Sequence, residues 1–190
     1  MELVLMKEKD LAFVQGIYEQ SFPQNEKKPF EMILDICQRG QIEIYLICHQ
    51  KENIGIAIID IYKDMILLDY FAIAKPFRKK GYGSQALHIL QDKYQEKMFV
   101  LEIESPDVPC HNLMQRQKRK QFYVQNQMKS TGYLVCLGTI MEVFYYQKPI
   151  CFKQYQQLYK VLFHRDIGER IMLEDCIEKQ SLSKHCQKHL

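Results

Sequence analysis

Between Phe77 and Leu87 the chain reads FRKKGYGSQAL, the densest grouping in it of residues suited to holding an anion. Three consecutive cations, Arg78, Lys79 and Lys80, precede Gly81 and Gly83, in a chain that has only eight glycines. A helix N-terminus presents amides with no internal partner and a partial positive charge, so it attracts phosphate. Glycines at that place let the backbone approach phosphate oxygens where a side chain would block it, and the cations add charged donors. The stretch predicts a pyrophosphate cradle; the plainer alternative is a tight turn with a solvated basic corner. Two better-known phosphate signatures do not fit. The dinucleotide pattern lacks its third glycine, and the P-loop pattern lacks a Gly-Lys pair followed by Ser or Thr.

A cradle needs a strand to lead into it and a helix to follow. The preceding segment, IAIIDIYKDMILLDYFAIAK, is largely apolar, and GYGSQALHILQDKYQEK has helical spacing through Ala86, Leu87, Leu90 and Tyr94. Upstream, ELVLM reads as a short strand and DLAFVQGIYEQSF as a helix with Asp10 as its N-cap. SFPQNEKKP, broken by Pro23 and Pro29, reads as a loop, and FEMILDICQRG as a second helix ended by Gly40. Residues 42–50, 52–63 and 64–75 form an antiparallel meander, with Lys63 and Asp64 in its second turn. Beyond the cradle come a buried strand MFVLEIES, a basic amphipathic helix HNLMQRQKRKQFYVQN, strands MKSTGYLVCL and TIMEVFYYQK, and a helix FKQYQQLYKVLFH. This order predicts an α/β sandwich around a mixed sheet. The expected organisation is one domain over 1–164, followed by a charged tail, 165–190, that either docks as a helix or frays.

Composition narrows the partners. The chain has 190 residues, 47% of them hydrophobic, and a net charge of +3, too mild to argue for nucleic acid or an anionic membrane. The first ten residues, MELVLMKEKD, lack a secretory signal's apolar core, and no apolar run approaches the roughly 20 residues of a membrane span. Seven scattered cysteines, an odd number in a chain of this size, predict reduced thiols and a cytoplasmic location. HCQKH, with His185, Cys186 and His189, invites a metal reading together with Cys176, but its spacing matches no zinc pattern, so no metal is expected.

With this order of elements, RKKGYG resembles the loop of the GNAT superfamily of acetyl-CoA-dependent N-acetyltransferases. There, a strand enters an Arg/Gln-x-x-Gly-x-Gly/Ala loop that caps a helix, and Arg78, Gly81 and Gly83 fill those places. The resemblance runs from about Leu3 to about Phe163, and FYVQNQM, with Tyr123, is similar to the family's FY and NGF-like turn. Gln127 stands where that turn usually has glycine, so the backbone there is expected either to avoid positive φ or to hold a strained residue. FYVQN, TGYLVCLG and QYQQLYKVLF are also similar to uncharacterised members from Gram-positive bacteria.

The resemblance implies a mostly antiparallel central sheet with helices on both faces, and acetyl-CoA as co-substrate without a metal. It implies that Phe71, Ala72 and Ile73 pair with the cofactor's pantetheine arm. It puts the pyrophosphate at Arg78, Lys79, Lys80, Gly81, Tyr82, Gly83 and Ser84. Tyr123 matches the family's acid for the departing thiolate, and Glu102 occupies the strand position of a base in related N-terminal amine acetyltransferases. Glu104, two residues on, and Asp69 are the other candidate bases. Arg116, two helical turns before Tyr123 and on the same face, is a further cofactor contact, with Asn112 as its alternative. Phe22 and Glu26 would frame an acceptor amine, and Lys118, Arg119 and Lys120 would be a solvated face.

The expected activity is acetyl transfer to a primary amine, small molecule or peptide. A non-catalytic acyl-CoA sensor on the same fold is the alternative, and a nucleic-acid binder using residues 116–120 the least favoured. A homodimer is possible through edge strands after Tyr133.

Overall fold

A computed structural model of the chain describes residues 1–173. Two compact units divide the chain, Met1–Lys97 and Met98–Leu190. The class is α/β with mostly antiparallel strands: within each unit, every pair of neighbouring strands given below is antiparallel.

The first unit contains β1 (Glu2–Leu5), α1 (Leu11–Ser21), α2 (Phe30–Gln38), β2 (Ile42–His49), β3 (Glu52–Tyr62), β4 (Met65–Ile73) and α3 (Tyr82–Lys93). Its strands lie in the order β1-β2-β3-β4. Residues 54 to 60 of β3 are all buried, and continuous burial along a strand means that both sheet faces are covered. Val14 and Tyr18 of α1, and Phe30, Ile33 and Ile36 of α2, supply apolar cover at helical spacing. Gly40 ends α2 as expected, taking φ 73° while its amide reaches the Cys37 carbonyl and that of Gln41 reaches Ile36. Asp10 behaves differently from a usual cap. Its carboxylate accepts the Lys7 amide at 3.0 Å, three residues upstream, and makes no bond to the first turn of α1.

Two departures from regular pairing matter for the site. Ile58 faces Tyr70 while Ile59 faces Leu68, so Asp69 is an extra residue in β4, a β-bulge. At Gly55 on β3, an added Cβ would overlap the Ala72 carbonyl oxygen and lie 3.1 Å from the Ile73 Cα. The strands approach there because residue 55 has no side chain.

The second unit contains β5 (Met98–Glu104), α4 (Leu113–Gln125), β6 (Met128–Cys136), β7 (Ile140–Tyr146), α5 (Phe152–Phe163) and β8 (Ile171–Leu173), its strands in the order β5-β7-β6-β8. β8 is a departure from the expected tail: residues 171–173 form a strand, pairing with Tyr133, Leu134 and Val135 of β6. Tyr133, Leu134 and Val135, at the start of the region expected to pair between subunits, thus pair within the chain. Cys136 is buried and disulfide-bonded, against the expectation that every cysteine is a free thiol, whereas Cys37, Cys48, Cys110 and Cys151 are free. Among the described residues, no helix is long and apolar enough to cross a membrane. Cys176, His185, Cys186 and His189 lie outside the described residues, within which no group of three His, Cys, Asp or Glu side chains could hold a metal ion.

Candidate active site

In the first unit, β4 ends at Ile73, a 3-10 turn follows over Lys75–Phe77, and Gly81 is the N-cap of α3. Arg78 donates from Nε to the Ile73 carbonyl at 2.7 Å, which pins the loop to the end of the strand. Lys79 and Gly81 both take left-handed backbone, at φ 62° and 78°. Such turns orient successive amides toward one concavity, a shape suited to an anion. No side chain caps α3, and the amides of Tyr82, Gly83 and Ser84 precede its first internal bond, from the Gln85 amide to the Gly81 carbonyl at 3.2 Å. A Cβ at Gly81 would meet only Gln85 Nε2, at 3.9 Å, so the space beside it is open. Arg78, Lys79, Lys80 and Gly81 are all exposed. The loop therefore fits the phosphates of a CoA-type co-substrate in backbone shape, free amides and charge.

Phe71, Ala72 and Ile73 follow one residue after the bulge, beyond Tyr70. Their backbone continues the pairing with β3, at Ala57, Ile56 and Gly55. Asp69, the bulge residue, does not stand as a free base: its carboxylate lies 2.5 Å from Lys28 Nζ. Phe22 packs edge-on against Tyr70 with ring centres 4.9 Å apart, and the Glu26 carbonyl accepts the Tyr70 hydroxyl at 3.0 Å.

In the second unit, Tyr123 and Arg116 are both buried, as two residues on one face of α4 should be. The Tyr123 hydroxyl makes no hydrogen bond among the described residues. Burial pushes it up to about 12, partly offset by the Arg119 cation, so the group is a protonated phenol throughout the neutral range.

Glu102 and Arg116 are more committed than the sequence suggests. The Glu102 carboxylate accepts hydrogen bonds from the Tyr155 hydroxyl and from the Tyr159 hydroxyl, the latter at 2.7 and 2.8 Å to its two oxygens. These tyrosines lie four apart on one face of α5. Arg116 donates from Nε to Asn112 Oδ1 at 2.9 Å, from Nη1 to the Ser105 carbonyl at 3.0 Å and from Nη2 to Glu104 Oε1 at 2.6 Å. Its guanidinium, expected at the cofactor, joins the start of α4 to the end of β5, together with Glu104 and Asn112. Arg119 adds a contact to Glu104 at 3.5 Å and Lys120 one to Glu142 at 2.7 Å, so of the predicted basic face Lys118 is exposed while Arg119 and Lys120 are half-buried.

Residues 11–118 match the sequence profile of the acetyltransferase (GNAT) family. No curated protein matches the chain. Among solved structures, a GNAT-family protein from Bacteroides thetaiotaomicron is similar at 18% identity and a TM-score of 0.70, over 88% of this chain and 99% of that one. A spermidine N-acetyltransferase variant from Vibrio cholerae is similar at 14% identity and 0.59, over 76% and 91%. An Arabidopsis thaliana protein in complex with the bisubstrate analogue CoA-Ac-MVNAL is similar at 14% identity and 0.59, over 77% and 98%. With the cradle at the start of α3 lying inside the matched segment, the chain belongs to the GNAT acetyltransferase family, acyltransferases whose co-substrate is acetyl-CoA.

Proposed function

We propose that this protein transfers the acetyl group of acetyl-CoA directly to a primary amine. One observation carries the reading: the left-handed, uncapped, exposed Gly81 at the head of α3, flanked by Arg78, Lys79 and Lys80. Residues Arg78 to Ser84 hold the pyrophosphate, and Phe71, Ala72 and Ile73 offer backbone groups to the pantetheine arm. When bound, acetyl-CoA supplies an activated thioester. The acceptor range named in similar structures includes spermidine and a peptide-derived bisubstrate, which is consistent with an amine acceptor.

Tyr123 serves as the acid: its phenol is protonated at neutral pH, buried and without a competing partner among the described residues, so it can donate to a departing thiolate. Glu102 accepts a proton by way of Tyr155 and Tyr159, whose hydroxyls hydrogen-bond its oxygens. Arg116 acts as the strut that sets the start of α4.

The test is titration of the protein with acetyl-CoA beside an Arg78→Ala, Gly81→Trp variant, followed by a thiol-release assay with spermidine and a free-α-amine peptide. Saturable binding that the variant loses, with thiol released on adding an amine, is expected. Absence of binding to the wild type sinks the reading, and binding without turnover of any amine transfers it to an acyl-CoA sensor.

A further inference from the structure

We propose that Lys28 is a positioning residue for acetyl transfer: its ammonium clasps the loop between α1 and α2 onto the bulge of β4, and so fixes the wall against which the acceptor amine lies. The inference rests on the acetyl-transfer reading, in which that loop frames the acceptor.

The loop spans residues 22–29, contains two prolines and would be costly to order without tethers. Two tyrosines hold its backbone. Tyr18 donates its hydroxyl to the Lys28 carbonyl at 2.8 Å, and the Lys28 amide donates to the Tyr70 hydroxyl at 3.0 Å, which itself donates to the Glu26 carbonyl. The rings pack closely as well, with Tyr18 and Tyr70 edge-on at 4.8 Å and Phe22 against both.

The side chain of Lys28 adds the tether that depends on charge. Its Nζ lies 2.5 Å from Asp69, 4.0 Å from Asp60 and 5.5 Å from the centre of the Tyr70 ring. The Asp60 side chain is fully buried and that of Asp69 nearly so. An ammonium beside two carboxylates of this kind is held far more firmly than a surface pair. Its address is also specific. Asp69 is the residue the bulge adds to β4, and Phe71, the first residue proposed to face the cofactor arm, comes two positions later. The ammonium thus joins the loop on the acceptor side to the strand on the cofactor side. Because the two tyrosines still hold the backbone, losing the ammonium should loosen the loop without unfolding the unit.

The experiment compares wild type, Lys28→Met, Lys28→Arg and Asp69→Asn by amide hydrogen exchange and by steady-state kinetics, with spermidine as the amine or, where that is not turned over, a free-α-amine peptide. In Lys28→Met, amides of residues 22–30 should exchange about tenfold faster or more while those of α3 stay unchanged. The KM for the amine should rise about tenfold with kcat and the KM for acetyl-CoA within about twofold of wild type. Lys28→Arg should recover most of both effects, and Asp69→Asn, which keeps the lysine, should move them the same way as Lys28→Met. Unchanged loop exchange in both Lys28→Met and Asp69→Asn overturns the proposal. So does an equal rise in both KM values, or a Lys28→Arg protein no better than Lys28→Met. A wild type that turns over no amine ends the acetyl-transfer reading and the acceptor half of this one, while the exchange comparison still decides whether the clasp exists.

Discussion

Arg116 and Glu104 meet at 2.6 Å with 7% and 4% of their surfaces exposed, an ion pair buried where α4 begins and β5 ends. Removing one member of such a pair leaves a charge without its partner in a low-dielectric site. Arg119, at 3.5 Å, is too long and too exposed to replace it. Arg116→Met should therefore cost about 3 kcal/mol in denaturant unfolding, and Arg116→Met with Glu104→Leu should recover a large part of that. If Arg116 contacted the cofactor instead, the single variant would keep its stability and lose acetyl-CoA affinity.

Tyr123 makes two predictions on one hydroxyl. Tyr123→Phe should lower turnover about 100-fold or more while acetyl-CoA binding is kept, since the ring stays and the transferable proton goes. The alkaline limb follows from the raised titration. The folded hydroxyl loses its proton at about 12, whereas the ordinary value is 10.0, so between those values the unfolded chain releases a proton that the folded chain retains. The stability from this group is complete below pH 10, falls as pH rises toward 12, and is absent from Tyr123→Phe. Unfolding followed from pH 9 to 12 should show a shallower decline in the variant. Burial raises Tyr70 and Tyr94 as well, and both remain in the two proteins.

Gly55→Ala tests the close approach of β3 and β4. The new methyl would meet backbone, the Ala72 carbonyl oxygen and the Ile73 Cα, and neither can swing aside as a side-chain tip would. The strands must part exactly where β4 is proposed to serve the cofactor. A loss of about 2 kcal/mol is expected, together with weaker acetyl-CoA binding, and calorimetry reads both. A variant as stable as wild type would mean that β4 has slack here.

Much of this architecture is legible in the residues themselves because its signals are local. Ile33 and Ile36 mark the buried side of α2, Gly40 its end, and the meander from Ile42 to Ile73 alternates with short polar turns. The loop proposed as the cradle is local too, since Arg78 to Ser84 are consecutive and need only a strand before them and a helix after. Long-range pairings were not readable in this way. That Arg119 and Lys120 spend their charge on Glu104 and Glu142 depends on how α4 lies across β5 and β7. The bulge at Asp69 is a register shift, which leaves no mark in composition, and the Lys28 contact spans 41 positions. β8 is three residues in a charged segment, too short for a periodic signal, and forms by completing the edge of β6.

Gln127 decides between the two expectations raised for the turn after α4. It adopts φ 67°, so the turn keeps the left-handed geometry that glycine usually supplies, and a residue with a Cβ carries the cost. Its amide reaches the Val124 carbonyl at 3.1 Å, closing the helix four residues after Tyr123. Gln127→Gly removes a Cβ penalty of about 1 kcal/mol and returns part of it as unfolded-chain entropy, so a gain of about 0.5 kcal/mol is expected. Gln127→Val sets a β-branched residue at the same φ and should lose about 1 kcal/mol or more. Because the turn follows the helix that carries Tyr123, Gln127→Gly should leave turnover within about twofold of wild type, whereas Gln127→Val should lower kcat along with stability. Thermal unfolding beside single-turnover rates on the three proteins checks this, and a valine variant as stable as wild type would show that the turn relaxes out of the left-handed region.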